Sequence, residues 1–214
     1  MTLSIVAKCD HTRQFGIASA TEMPAVGKLL AYAFPHYGAF ATQALINPYL
    51  GIDGCKLLSL SVSARGTIET VLEDDREYQQ RQVAAVDKEG RSFAFTGTEC
   101  LPWAGSLQGP GFSVQGNRLV GPQVLHAMAE AFESRPGEEL VHRLIAAISA
   151  GIEAGGDRHG ERSANVYVVE DEEYPLWDMR VDDHDDIVGE LKRLEAVFRE
   201  ELYPHILNMP SRSR

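Results

Sequence analysis

The chain has 214 residues, 44% of them hydrophobic, which suits one large domain with a substantial buried core. Its formal net charge of −11 repels phosphate backbones, and this argues against nucleic acid as a partner. No apolar run reaches the roughly 18 residues needed to span a bilayer. No charged-then-apolar leader precedes the first element either, so we expect a cytoplasmic protein without a membrane partner.

The cysteines and the recognised metal and nucleotide motifs exclude several further classes. Cys9, Cys55 and Cys100 are odd in number and widely spaced, unlike a disulfide framework or a zinc site, and they suit a reducing compartment. The sequence contains no HExxH, no paired CxxC, no phosphate loop and no GxSxG elbow. We therefore expect no cofactor.

The chain opens on a pattern typical of a strand. Leu3, Ile5 and Ala7 alternate with Thr2, Ser4 and Val6. Threonine is small, so the initiator Met1 is normally removed before it. A free α-amine beside a hydroxyl supplies its own general base, which is one way to activate a nucleophile. The alternative is that Thr2 simply begins a strand.

The first half of the chain then predicts an opening hairpin, helices and a second hairpin. Strands are expected at 15–20, 38–44, 82–86 and 92–96, and a loop is expected at 21–27. The apolar segment 29–35 is ambiguous. Asp53 is the expected N-cap of a helix that carries Leu57, Leu58, Leu60 and Val62. Gly66 interrupts this helix, and a second short helix follows at 67–72.

The second half predicts a long loop at 97–111, a strand at 112–115 and two consecutive amphipathic helices between Pro122 and Gly155. Strands at 164–169 and 176–181 follow, and the apolar spacing predicts a C-terminal helix at about 186–203. Antiparallel sets of strands with grouped helices indicate an α+β fold with two sheets, in a single domain over 1–214.

Three polar loops, at 96–105, 115–121 and 155–164, are candidate site segments, because their glycines allow backbone N–H groups to face a ligand. Asn117 could add an oxyanion donor, and Asp157 and Arg158 could pair to orient a neighbour. Cys100 is either a nucleophile or a packed thiol. The alternative for all three loops is ordinary turn chemistry. The candidate substrate-binding residues are Gln43, Thr96, Cys100, Trp103, Gln115 and Ser163.

An acidic run at 182–186 supports a different hypothesis. Asp182, Asp183 and His184 could bind a divalent metal in a metal-dependent hydrolase. The alternative is a solvated helix start, because acidic residues are favoured by the positive end of a helix dipole.

Several segments, taken in order, resemble the domain of unknown function 1028 family, which is grouped with the N-terminal nucleophile (Ntn) hydrolases. The segments are Leu3 to Ala7, Ala41 to Ala44, Thr96 to Cys100 with Trp103 to Gly105, Gln115 to Asn117, Gly155 to Gly160 and Arg180 to His184. The resemblance covers about Thr2 to Leu194. It implies a four-layer αββα sandwich, in which two antiparallel sheets are flanked by helices.

The resemblance also implies a nucleophile at the start of the first strand. Thr2 matches that position, and Ser4 is the alternative if the chain is trimmed further. No lysine lies in the strand expected at 38–44, where threonine-type relatives such as the proteasome keep one, although Lys28 lies just ahead.

The leading hypothesis is therefore an amidohydrolase that cleaves a small amide or peptide-like bond. Thr2 would attack, its α-amine would accept the proton, and backbone N–H groups with Asn117 would bind the oxyanion. Asp157 and Arg158 would orient the nucleophile or the substrate. The alternatives are a non-catalytic protein that binds a small ligand or peptide, and the metal-dependent hydrolase. The C-terminal helix could form a homodimer contact or pack on its own sheet.

Overall fold

The computed structural model describes residues 2–212. Ten strands follow one another in chain order: β1 (Thr2–Lys8), β2 (Phe15–Thr21), β3 (Ala31–Phe34), β4 (Gly38–Ala44), β5 (Arg81–Asp87), β6 (Ser92–Thr96), β7 (Gly105–Gly109), β8 (Phe112–Asn117), β9 (Ser163–Val169) and β10 (Trp177–Val181). Six helices complete the fold: α1 (Pro48–Ser59), α2 (Ala64–Glu73), α3 (Gln123–Glu133), α4 (Leu140–Glu153), α5 (Ile187–Glu201) and α6 (Tyr203–Ile206). Two single turns of 3₁₀ helix lie at Val26–Lys28 and Tyr78–Gln80.

The strands form two antiparallel sheets that face each other. The larger sheet has the order β10-β9-β2-β1-β8-β7, and the smaller has the order β3-β4-β5-β6. Helices α3, α4 and α5 cover the larger sheet through one hydrophobic cluster, and α1 and α2 cover the smaller sheet through another. A third cluster lies between the sheets. The predicted α+β fold and four-layer αββα sandwich are confirmed.

The alternation along β1 explains why this strand is central. Leu3, Ile5 and Ala7 pack into the cluster under the helices, whereas Val6 packs between the sheets. Side chains alternate across a strand, so Thr2 and Ser4 also face the smaller sheet. The two hydroxyl groups proposed from the sequence thus lie in the space between the sheets.

Four local predictions need correction. Gly66 does not interrupt a helix but lies inside the first turn of α2, which begins at Ala64. The first helix begins at Pro48, not near Asp53, because Asn47 is its N-cap and accepts a 3.1 Å hydrogen bond from the Tyr49 N–H. The same helix ends at Ser59, so Leu60 and Val62 lie beyond it. The predicted loop at 97–111 contains β7, an edge strand whose glycines and polar residues obscure the strand pattern.

The C-terminal helix lies close to its predicted bounds. Asp186 caps α5 by accepting a 2.8 Å hydrogen bond from the Gly189 N–H. Leu191 is fully buried, and Leu194 and Phe198 pack partly buried against the same cluster, so the helix packs on its own sheet. Among residues 2–212, no helix is long and apolar enough to cross a membrane.

Candidate functional site

One end of the space between the sheets is polar. Four amide side chains from three different strands meet there, and none is more than 3% exposed. They are Gln43 of β4, Gln82 of β5, and Gln115 and Asn117 of β8. A cluster of buried amides is stable only when its donors and acceptors are paired, because an unpaired buried polar group costs about 1–3 kcal/mol.

Ser4 joins the two sheets within this network. Its hydroxyl donates to Gln43 Oε1 at 2.6 Å and accepts from Gln115 Nε2 at 2.6 Å. Ser113 in turn donates to Gln115 Oε1 at 3.0 Å. Ser4 is fully buried, so its hydroxyl is engaged on both sides inside the sandwich.

Gln82 is the centre of the network. Its Oε1 accepts from Gln43 Nε2 at 2.7 Å and from Asn117 Nδ2 at 3.0 Å. Its Nε2 lies 2.9 Å from Thr96 Oγ1 and 2.9 Å from the Gly116 carbonyl oxygen. The hydrogen-bonded side chains of this network are all uncharged, so it holds the two sheets together without an ion pair.

Thr2 lies at the edge of this polar region. It is 4% exposed, and Asn117 is its cross-strand partner. The Thr2 hydroxyl donates to Thr21 Oγ1 over a long 3.4 Å. Met1, whose removal the nucleophile hypothesis requires, lies outside the described residues. Lys28 is exposed at the end of its 3₁₀ turn and does not enter the network.

Asp157 lies in line with β1, just beyond its start. Thr2 pairs with Asn117 of β8, and two residues further along the chain Leu119 forms an antiparallel bridge with Asp157. On its other side Leu119 exchanges backbone hydrogen bonds with Trp103. Asp157 is therefore on the β1 side of Leu119, where a continuation of β1 ahead of Thr2 would lie.

The carboxyl group of Asp157 is buried and half satisfied. It is 4% exposed, and its Oδ1 accepts from the His159 N–H at 2.9 Å. Within residues 2–212, its buried Oδ2 has no hydrogen-bond partner. Burial raises the pKa of Asp157. It also raises the pKa of Glu161, whose Oε1 accepts from the Asp157 N–H at 2.7 Å.

Two other candidates from the same loop lie apart from the network. Arg158 is exposed and donates from Nε to the Leu119 carbonyl oxygen at 3.1 Å. The described part of the chain has no ion pair between Asp157 and Arg158, so the predicted pairing is not found. Ser163 donates to the Met23 carbonyl oxygen at 2.6 Å and thereby holds the loop after β2.

A cleft of about 290 Å³ opens at the same end of the sandwich, beside Asn117. Its lining includes Leu45, Glu99, Cys100, Leu101, Asn117 and Arg118. The Cys100 thiol donates to the Arg81 carbonyl oxygen at 3.3 Å, and burial raises its pKa. Such a thiol is a poor nucleophile, because the thiolate is the reactive form. Trp103 instead packs partly buried against the cluster under the helices.

The acidic run does not converge on one point. Asp183 pairs with Arg162 at 2.7 Å, while His184 Nδ1 accepts from the Asp186 N–H at 2.9 Å. Over the described range 2–212, no group of three His, Cys, Asp or Glu side chains could hold a metal ion. The alternative that uses Asp182, Asp183 and His184 thus lacks a ligand cluster.

The structure thus brings Thr2, Ser4, Gln43, Thr96, Gln115 and Asn117 to one end of the sandwich. Sequence reasoning missed Gln82, the central residue, and it included Glu99 and Arg118 only as members of two candidate loops, without a role of their own. A signal for Gln82 was present: a glutamine begins the otherwise apolar stretch 82–86, and Gln43 is likewise a glutamine near the end of the small-residue strand at 38–44.

The fold and the site together define an αββα sandwich with a polar, hydroxyl-bearing end at its first strand. The model of the family of unknown function DUF1028 matches residues 2–191, and the chain belongs to that family. Its structure is similar to the crystal structure of protein SPO2555 from Silicibacter pomeroyi, at 30% identity and a TM-score of 0.87, over 95% of this chain and 88% of that one.

Solved structures of Anbu, an ancestral beta-subunit, are less similar to this chain. Anbu from Yersinia bercovieri gives 11% identity and a TM-score of 0.44 over 98% of both chains. Anbu from Hyphomicrobium sp. strain MC1 gives 10% and 0.43, again over 98% of both chains. Likenesses of this strength carry no functional argument. No curated protein matches the chain.

Proposed function

We propose that the chain is an amidohydrolase of the N-terminal nucleophile type, with Thr2 as the nucleophile and a small amide or peptide-like bond as the target. One observation carries the proposal: the buried, half-satisfied carboxyl group of Asp157 lies in line with β1, immediately beyond Thr2. A buried carboxylate is costly unless a cation or further donors reach it. The α-ammonium of Thr2, freed by removal of Met1, is the cation that would complete it.

The chemistry then follows from the groups at this end of the sandwich. In its neutral form the α-amine accepts the hydroxyl proton as Thr2 Oγ1 attacks the amide carbon. Asn117 has two N–H donors, one of which is engaged by Gln82, so the other can stabilise the oxyanion. The α-ammonium returns the proton to the leaving amine. Water then cleaves the ester formed on Thr2.

Asp157 acts here as a positioning residue that holds the α-amine. Ser4 has a different part, because its hydroxyl already donates to Gln43 and accepts from Gln115. Ser4 thereby holds the side chains of Gln43 and Gln115 in place. Arg158 has no step in this mechanism, since its guanidinium is engaged by the Leu119 carbonyl oxygen.

Two measurements on untagged protein test the proposal in sequence. Intact-mass analysis is expected to show a chain shortened by one methionine, and a retained Met1 would overturn the mechanism. A screen of amides and N-acyl amino acids then identifies a responsive substrate. Thr2→Ala should lower turnover by about 10³-fold or more, whereas Thr2→Ser should retain part of it.

Thr12→Ala provides the matched control, because this threonine lies in the exposed turn after β1. It should leave turnover unchanged. Full turnover by the Thr2→Ala variant would show that another group performs the attack.

The second candidate is a non-catalytic binding protein on the same fold. It is favoured by the neutral character of the network, since no lysine assists Thr2 in the way that threonine-type nucleophile enzymes use one. This candidate predicts ligands that raise the melting temperature and are recovered intact. Release of product from any such ligand would exclude it.

A further inference from the structure

The cleft beside Asn117 carries two charges that the proposed reaction does not use. Arg118 and Glu99 both line it. In the described part of the chain, neither side chain makes a hydrogen bond or an ion pair. Opposite charges that face one small cleft, without partners of their own, are suited to a ligand that also carries both signs.

The backbone fixes where both side chains start. Arg118 follows the last residue of β8 with φ 57°, and its N–H donates to the Leu101 carbonyl oxygen at 2.9 Å. The Glu99 N–H donates to the Gln79 carbonyl oxygen at 2.8 Å. The two side chains thus extend from anchored segments, and the ends of both sheets contribute to the same cleft.

The cleft also has an apolar wall. Leu45 is 43% exposed and Leu101 is 51% exposed, and both line the cleft. Exposed leucines beside opposite charges can contact an apolar side chain of a ligand, while the two charges bind the charged ends of that ligand. The volume of about 290 Å³ is near the lower limit of small-molecule sites, so the ligand must be small.

We propose that this cleft binds a short zwitterionic peptide of dipeptide size, with its carboxylate on Arg118, its ammonium on Glu99 and an apolar side chain against Leu45 and Leu101. The assignment rests on the proposed function, because it takes the cleft as the substrate site of Thr2. The amide bond between the two charged ends is then the bond presented beside Asn117.

Calorimetry on the Thr2→Ala variant tests the binding without turnover. The probes are leucylglycine, N-acetylleucylglycine, which lacks the ammonium, and leucylglycinamide, which lacks the carboxylate. Leucylglycine should bind about tenfold or more tightly than either blocked peptide, because each blocked peptide loses one charged hydrogen-bonded contact. Equal binding of the three probes, or no binding of any, would overturn the assignment.

Single substitutions assign each charge to its partner. Glu99→Gln should remove the preference for a free ammonium and leave the preference for a free carboxylate. Arg118→Gln should do the reverse, and Arg118→Lys should restore most of the carboxylate preference. Glu133→Gln and Arg76→Gln, two exposed charges without ion pairs in the described residues, are the matched controls. Identical effects of Glu99→Gln and Arg118→Gln would contradict the assignment.

The two proposals fail in distinguishable ways. If the binding preferences hold while native protein leaves leucylglycine intact, the amidohydrolase mechanism fails and the zwitterion site stands. If native protein hydrolyses amides and the three probes bind alike, the zwitterion site fails and the mechanism stands.

Discussion

The space between the two sheets has two halves of opposite chemistry, built by the same strands. On each of three strands, two residues that point into this space lie two positions apart, one apolar and one polar. They are Val6 and Ser4 on β1, Ala41 and Gln43 on β4, and Ala84 and Gln82 on β5. Each of these three strands changes from apolar to polar toward the same end of the sandwich, the end where Thr2 begins.

The two halves are stabilised by different interactions. The apolar half depends on burial and close packing, which are non-directional and tolerate changes of similar volume. The polar half depends on hydrogen bonds with fixed partners, so each side chain specifies the position of the next. A substrate site needs surrounding side chains that do not shift. The hydrogen-bonded polar half provides such side chains next to Thr2 and Asn117.

Gln82→Leu should have the largest effect on stability. It removes the acceptor of Gln43 and Asn117 and the donor to Thr96 and Gly116. Leaving several buried groups unpaired should lower the free energy of unfolding by about 3–4 kcal/mol. Guanidinium denaturation followed by circular dichroism measures this change.

The apolar half provides the counterpart. Val6→Ala removes two methyl groups from a fully buried site and should cost about 2 kcal/mol. Gln123→Leu, at the exposed start of α3, should cost less than about 0.5 kcal/mol. If Gln82→Leu proves milder than Val6→Ala, the polar half is not the more tightly specified one.

Ser4→Ala should have the next largest effect, and it separates stability from chemistry. It leaves Gln115 Nε2 without its acceptor and Gln43 Oε1 without its donor. We expect a loss of about 2 kcal/mol in the free energy of unfolding. Turnover at a temperature where the variant is folded should stay within about tenfold of the native value.

The same variant decides between the two hydroxyl groups of β1. Loss of all turnover by folded Ser4→Ala, with Thr2→Ala still active, would make Ser4 the nucleophile. A melting curve recorded beside the assay ensures that only folded protein is compared.

The layered fold could be predicted because it depends on patterns that a single chain shows. The alternation in β1 and the apolar spacing of α4 and α5 mark buried faces, whatever their partners. The edge strand β7 was missed, because an edge strand of glycines and polar residues packs on only one side and shows little alternation.

The site was predicted less completely, because it depends on which strands become neighbours. Ser4, Gln115 and Asn117 were proposed from polar loops and from the resemblance. Gln82 was not, because a single glutamine in a strand has no visible partner until β4 and β8 lie next to it. Asp157 was proposed from its polar loop, but its place ahead of Thr2 follows only from the bridge to Leu119, which the sequence does not show.

Asp157→Asn should have the smallest effect, and it tests the junction between the polar half and the chain start. Asparagine keeps an acceptor for the His159 N–H but removes a buried charge. Burial raises the pKa of Asp157 in the folded protein. Its contribution to stability is therefore fully present below the unfolded pKa of about 3.9 and is lost as pH rises through the folded pKa.

In protein that carries an N-terminal extension, no α-amine of Thr2 exists. There, Asp157→Asn should raise the free energy of unfolding by about 1 kcal/mol at pH 7 and have little effect near pH 4. In protein without Met1, the α-ammonium should offset the buried carboxylate, so the gain at pH 7 should vanish. It should return at higher pH, once the α-amine has lost its charge. An equal gain at pH 7 in both proteins would mean that no cation reaches Asp157, and the arrangement proposed for Thr2 would then be wrong.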